Sequence, residues 1–413
     1  MFKNINCKNL PSLRRNIVYQ FLYELLIVFI PLFTIPYVSR VLGAENIGLF
    51  SYTYAVANYF VLFANLGIKN YGSRTIAMVR NNKEELNRNF SEILSIHIIF
   101  SIIVIFVYLV LLFFFVEDNL VIFLIQSIYV FAAVFDINWF FFGIEKFKLT
   151  VGRNTLVKIL SVFLVLVFVK TQTDLWIYAL ILALSVFVGQ SVVWFALKQY
   201  VSWRRPSWAN MKQHIRPLFV LFLPILALSL YKYMDKIMLG SISSNVQVGF
   251  YENAEKIINV PMSLIMAFGV VLMPRIANMV TSKDKGEVFK LIDMSMEAVM
   301  LLAIAISFGL AGISFVLAPI FFGYEFEECG ILIMGLAVTV PFMAFANVIR
   351  TQYLIPYKED KIFVVSLFLG AAVNLIVNII LIPYMAARGA VIGTIFAEII
   401  VCIYPVSYTH LTL

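Results

Sequence analysis

Apolar residues occupy this chain in long blocks separated by short polar breaks. The blocks lie near 16–42, 47–68, 92–116, 120–143, 154–169, 175–197, 217–239, 247–273, 291–321, 330–354, 362–382 and 389–405. A bilayer-crossing helix needs about 20 mostly apolar residues, and each block comes close to that length or exceeds it. The pattern predicts an all-α polytopic membrane protein of about twelve helices, with no sizeable soluble domain.

Composition narrows the class further. The chain is 62% hydrophobic and 13% charged, with a mean hydropathy of +0.94, which excludes an ordinary soluble domain. The net charge of +8 comes from alternate loops. Lys3, Lys8, Arg14 and Arg15 precede the first block, and Lys69, Arg74, Arg80, Lys83 and Arg88 follow the second. Lys198, Arg204, Arg205, Lys212 and Arg216 follow the sixth with no acid among them. The intervening loops carry Glu117 and Asp118, or Glu325, Glu327 and Glu328. The positive-inside rule then predicts that both ends face the cytoplasm. Because the basic residues are spread along one membrane face, a nucleic-acid partner is not expected. Cys7, Cys329 and Cys402 are isolated, and His97, His214 and His410 form no motif with them, so no disulfide, metal or cofactor is expected.

Charge inside the apolar blocks is the main functional signal. Lys232, Asp235 and Lys236 fall in one block, and Glu252, Glu255 and Lys256 open the next. Spacings of i, i+3 and i+4 predict one helix face for each triple. Charges in a bilayer are costly and mark substrate or ion routes, although a permanent salt-bridge set between the two helices is an equally simple reading.

The chain also repeats itself. Arg40-Val41-Leu42-Gly43, Ile47-Gly48-Leu49-Phe50, Leu66-Gly67 and Arg74-Thr75-Ile76-Ala77-Met78 are echoed by a second series. That series is Lys236-Ile237-Met238, Gly240, Val248-Gly249-Phe250-Tyr251, Phe268-Gly269 and Arg275-Ile276-Ala277-Asn278-Met279. Each copy opens a half of six helices, so a lobe over 1–200 and another over 201–405 are expected in the same orientation, a known transporter plan. The repeat sets Glu252, Glu255 and Lys256 against Ser51, Tyr54 and Ala55, inside a helix and not in a loop. Pro31 and Pro36 in the first block and Pro224 in the seventh are expected to interrupt their helices and are hinge candidates.

Several of these residues resemble a family. Pro36-Tyr37-Val38-Ser39-Arg40-Val41-Leu42-Gly43 and Tyr71-Gly72-Ser73-Arg74 look like the opening of Wzx-type oligosaccharide repeat-unit flippases, the polysaccharide transporter branch of the MOP superfamily, related to MATE exporters. Met234-Asp235-Lys236-Ile237-Met238, Ala254-Glu255-Lys256-Ile257, Ile382-Pro383-Tyr384 and Arg388 to Thr394 agree. The resemblance implies a MATE-like bundle of two six-helix lobes. It also implies transfer of undecaprenyl-pyrophosphate-linked oligosaccharide across a bacterial plasma membrane, from the inner to the outer leaflet, by a protein that is not an enzyme. Family members commonly have fourteen helices. The final residues 406–413 do not look like the family's continuation, and a truncated or chimeric end missing the last pair is expected.

Flipping such a lipid calls for cations to meet the pyrophosphate and a polar path for the sugars. Arg40, Lys232, Lys236 and Lys256 are the candidate cations, and Tyr37, Tyr52 and Tyr54 are candidates for stacking on sugar. Asp235, Glu252, Glu255, Glu24 and Glu398 are candidates for coupling to H⁺ or Na⁺. Expected partners are the lipid-linked oligosaccharide, membrane lipids, and the polymerase and other polysaccharide-assembly proteins. The alternatives are a MATE-like drug or cation antiporter and a polytopic envelope-sugar enzyme. Lysines beside the acids argue against the first, and the lack of a large outer loop or a His-centred acyl-transfer pair argues against the second.

Overall fold

The computed structural model describes the backbone over 10–281 and 285–409. Side chains are described from residue 32 to 407, apart from 147, 148, 231, 270, 271, 274 and 281–285. The side chains of Glu24 and Pro31 lie outside the described residues, as do Cys7 and 410–413 altogether. No strand occurs among the described residues.

Fourteen α-helices follow one another among the described residues: α1 (Leu10–Asn65), α2 (Ile68–Val79), α3 (Lys83–Phe115), α4 (Leu120–Val134), α5 (Asn138–Gly143), α6 (Phe147–Phe168), α7 (Leu175–Leu197), α8 (Trp208–Ile242), α9 (Asn245–Thr281), α10 (Lys285–Phe322), α11 (Cys329–Ala337), α12 (Thr339–Val348), α13 (Asp360–Met385) and α14 (Ala387–Thr409). A π-helical turn, Ile349–Leu354, extends α12. Local chemistry sets the boundaries. The Asn82 side chain accepts from the Glu84 and Glu85 amides at 3.1 and 3.3 Å, capping α3, and both acids suit the positive end of the helix dipole. Gly67, at φ 71°, turns the chain between α1 and α2.

Ten segments among the described residues are long and apolar enough to span a bilayer, against the twelve expected. The first two apolar blocks merge into one segment, Leu32–Val79. α9 is not among the ten: its side chains are described without a break only over 245–269, and that stretch holds Glu252, Glu255 and Lys256. The expected interruptions also moved. Helix continues through Pro31, Pro36 and Pro224, and the residue with non-helical angles inside α1 is Gly43, at φ 77°. Glycine adopts that left-handed backbone without the strain a Cβ would add.

Contacts divide the chain into two compact units. The first comprises 1–34 and 56–223; the second comprises 35–55 and 224–413. The middle of α1 thus packs with the C-terminal unit, and the chain changes units next to Pro36 and at Pro224.

Within the second unit the two repeat copies meet directly. A Cβ on Gly48 would collide with the carbonyl oxygen of Asn245, and a Cβ on Gly249 would collide with that of Ala44. Each glycine therefore faces the carbonyl four residues before its counterpart, a symmetric backbone contact. Asn253 Nδ2 donates to Ser39 Oγ at 2.9 Å beside it.

Candidate functional site

The second unit contains a partly open cavity of about 190 Å³. Ser51, Tyr54 and Ala55 of α1 form one wall. Lys232, Tyr233 and Lys236 of α8 form another, and Glu252, Glu255, Lys256 and Asn259 of α9 form the third. The three residues from α1 are the repeat counterparts of Glu252, Glu255 and Lys256, so equivalent positions of the two copies line one cavity. One copy contributes neutral side chains and the other contributes charge.

The charges are ordered. Lys236, buried, places Nζ 2.5 Å from Glu252 and 2.8 Å from Glu255. Lys256 reaches the other Glu252 oxygen at 3.1 Å, across one helical turn. Lys232 has no ion pair among the described residues; its Nζ lies 5.5 Å from the Tyr233 ring centre, and its side chain is exposed. Three lysines thus face two glutamates, and Lys232 carries the surplus. The volume is below the roughly 300–1,000 Å³ that encloses a drug-sized ligand, which suits a small charged group.

Asp235 does not join this cavity, contrary to the one-face expectation. Successive residues of a helix are offset by about 100°, so Asp235 and Lys236 project in different directions. Asp235 is 4% exposed and accepts hydrogen bonds from three neutral side chains. The Tyr251 hydroxyl donates at 2.6 Å, Thr394 at 3.0 Å and Asn378 at 2.6 Å. Asn378 also donates to Asn374 at 3.1 Å, and its own Oδ1 is buried with no hydrogen-bond partner. Gly393 makes this packing possible, because a Cβ there would collide with Asn378 Oδ1. Buried carboxylates need such donors to offset lost hydration.

The remaining candidates lie elsewhere. Arg40 is exposed and donates to the Ile320 carbonyl at 2.6 Å, fastening α1 to the end of α10. Tyr52 packs its ring over Gly240 and reaches Ser241 at 3.4 Å. Tyr37 is half-buried, and Glu398 is buried on α14; neither lines the cavity. Sequence reasoning did not single out Asn374, Asn378 and Thr394. Asn374 and Asn378, four residues apart in an apolar helix, were a usable signal, since polar residues there share one face.

Comparison with known proteins places the fold. A lipid II flippase MurJ structure in an inward closed conformation superposes with a TM-score of 0.74 at 15% identity, covering 96% of this chain and 87% of that one. An inward-facing MATE-family multidrug resistance transporter of the MOP superfamily gives 0.70 at 13% identity, covering 94% and 97%. The protein is therefore a many-spanning helical membrane protein of the MATE and MurJ fold. Residues 13–280, well over half of the chain, match the polysaccharide biosynthesis protein family, and the chain belongs to that family. A Shigella dysenteriae protein provisionally named as an O-antigen transporter is 24% identical over 95% of this chain and 98% of its own length. The lipid II flippase MurJ of Bacillus subtilis is 29% identical over 43% of this chain and 35% of its own.

Proposed function

We propose that this protein flips a lipid-linked oligosaccharide from the inner to the outer leaflet of a bacterial plasma membrane, for surface polysaccharide assembly. Membership in the polysaccharide biosynthesis family and likeness to an O-antigen transporter and a lipid II flippase support a lipid-linked saccharide as cargo. The observation that carries the finer reading is the charge surplus in the cavity. With Lys236 and Lys256 committed to Glu252 and Glu255, Lys232 remains to meet an anion. A lysine ammonium is a point charge suited to phosphate, and the pyrophosphate of an undecaprenyl carrier is the matching group. Tyr54 beside it offers a ring to the first sugar, while the lipid chain stays in the bilayer.

The same geometry supports a division into two roles. Glu252 and Glu255 serve the lysines, which leaves Asp235 as the coupling group for H⁺ or Na⁺. The hydroxyls of Tyr251 and Thr394 lie against one carboxylate oxygen and the Asn378 amide donates to the other, so a proton or cation would be taken up by the carboxylate itself. Two lobes alternating in access, both termini cytoplasmic, would bend near Pro36 and Pro224, where the chain passes between its compact units. Arg40 holds α10 and does not touch cargo in this reading. Polymerase and other assembly proteins would receive the flipped unit.

The test is reconstitution. Vesicles holding the protein and a fluorescent undecaprenyl-pyrophosphate oligosaccharide are scored for leaflet transfer, with Lys232→Gln beside the unaltered protein at equal abundance. Loss of at least tenfold in transfer rate is expected. Unchanged transfer removes the cavity from cargo binding, and unchanged transfer after collapse of both proton and sodium gradients removes Asp235 as a coupling group.

A further inference from the structure

The segment joining α7 to α8 is irregular, yet it is fastened along its length to one face of α3. Lys83 Nζ donates to the Tyr200 carbonyl at 2.5 Å. The Ser202 amide donates to Asn87 Oδ1 at 3.0 Å, and the Arg204 amide donates to Ser91 Oγ at 2.9 Å. Lys83, Asn87 and Ser91 are four residues apart, so they form one stripe. The ladder continues into α8. Asn210 donates to Glu92 Oε1 at 3.0 Å, and Glu92 Oε2 lies 3.0 Å from His214 Nε2. The other ring nitrogen of His214 lies 2.6 Å from the Tyr71 hydroxyl. Glu92 and His214 are 1% and 3% exposed, so the ladder ends in a buried lock.

What this fastening turns outward is a second stripe. Ser202 and Arg204 use their amides inward, while Trp203 and Arg205 between and beyond them stand exposed. On α8, Trp208, Lys212 and Arg216 repeat every four residues on the exposed face, and Met211, His214 and Leu218 are buried. Trp203 and Trp208 are 54% and 60% exposed. Arg204 pairs with Glu84 at 3.1 Å, whereas Arg205, Lys212 and Arg216 make no ion pair among the described residues. Two exposed tryptophans and three cations with no ion pair among the described residues therefore lie within residues 203–216, at the start of a membrane-spanning helix.

We propose that this strip is a binding surface for anionic phospholipid headgroups. Tryptophan rings favour the headgroup level of a bilayer, where the ring is buried and the indole N–H stays wet. Each Lys or Arg close to an anionic leaflet strengthens attraction to that leaflet roughly fivefold. Diffuse positive charge would attract lipid without order; here the α3 ladder holds the backbone on either side of Trp203 and anchors the first turns of α8. The inference is independent of what the protein carries.

Full-length protein in phosphatidylcholine vesicles tests it through tryptophan quenching by brominated lipid. The Trp203→Phe/Trp208→Phe protein supplies the background from the other tryptophans, which is subtracted. Brominated phosphatidylglycerol is expected to quench the remaining signal at least twofold more than brominated phosphatidylcholine at equal fraction. That preference is expected to vanish in Arg205→Gln/Lys212→Gln/Arg216→Gln and to fall in Asn87→Ala/Ser91→Ala. Equal quenching by both lipids overturns the proposal, and so does the absence of quenching. Loss of the preference on adding millimolar inorganic pyrophosphate would assign the strip to a soluble phosphate instead, which also overturns it. A preference untouched by Asn87→Ala/Ser91→Ala overturns the ordered strip in favour of diffuse charge.

Discussion

Asp235 and Lys236 are neighbours on α8, yet they are satisfied by opposite means. Lys236 meets two carboxylates in a cavity open to small ligands. Asp235 meets only neutral donors, from Tyr251, Thr394 and Asn378. A charge compensated by counter-charges is committed, because breaking one pair strands another ion in a poorly solvated place. A carboxylate met only by neutral donors has no counter-ion to strand, and is the better candidate for exchanging a proton or a cation. Two adjacent residues of one charged triple thus divide into a structural member and a functional candidate. Sequence spacing alone had treated them alike.

The largest expected effect comes from Lys236→Ala. It leaves Glu252 and Glu255 without their shared cation and is expected to destabilise the protein by roughly 3–5 kcal/mol. Thermal melting in detergent measures this, and adding Glu252→Gln and Glu255→Gln should restore most of the loss. Recovery would confirm commitment; no recovery would show that Lys236 matters through packing. Next comes Tyr251→Phe, which removes one hydrogen bond to a buried carboxylate and is expected to cost about 1.5–3 kcal/mol in the same measurement. The smallest stability change is expected for Asp235→Asn, about 1 kcal/mol, because the hydroxyls of Tyr251 and Thr394 can reverse direction to meet the amide. Its signature lies elsewhere, in transfer that no longer responds to an ion gradient. A protein with Asp235→Asn that is as gradient-driven as the unaltered one would erase the contrast between the two neighbours.

Much of this was legible in the chain. Apolar blocks located the helices, since the length needed to cross a bilayer is a physical constant of the membrane. The repeat placed Glu252, Glu255 and Lys256 inside a helix although the strongly apolar run starts only at Ile257, and α9 indeed begins at Asn245. It also paired these residues with Ser51, Tyr54 and Ala55, which share their cavity. Three things were not legible. The direction of Asp235 depends on a rotation of about 100° from its neighbour, which i, i+3, i+4 spacing blurs. Its partners Asn378 and Thr394 lie more than 140 residues away, beyond any local pattern. The grouping of 35–55 with the C-terminal unit follows from contacts at Gly48 and Ser39, where the informative atoms are main chain or a single hydroxyl.

The Gly48 and Gly249 contact carries one more consequence. Helices usually register through interlocking side-chain ridges, and leaving one register means climbing over those ridges. Here the closest approach is bare peptide against bare peptide, at matched positions of the two repeats. Such a junction has the mechanical character of a bearing. It fixes how near the two helices come while offering few teeth to resist their turning. Any residue larger than glycine would convert that bearing into a wedge.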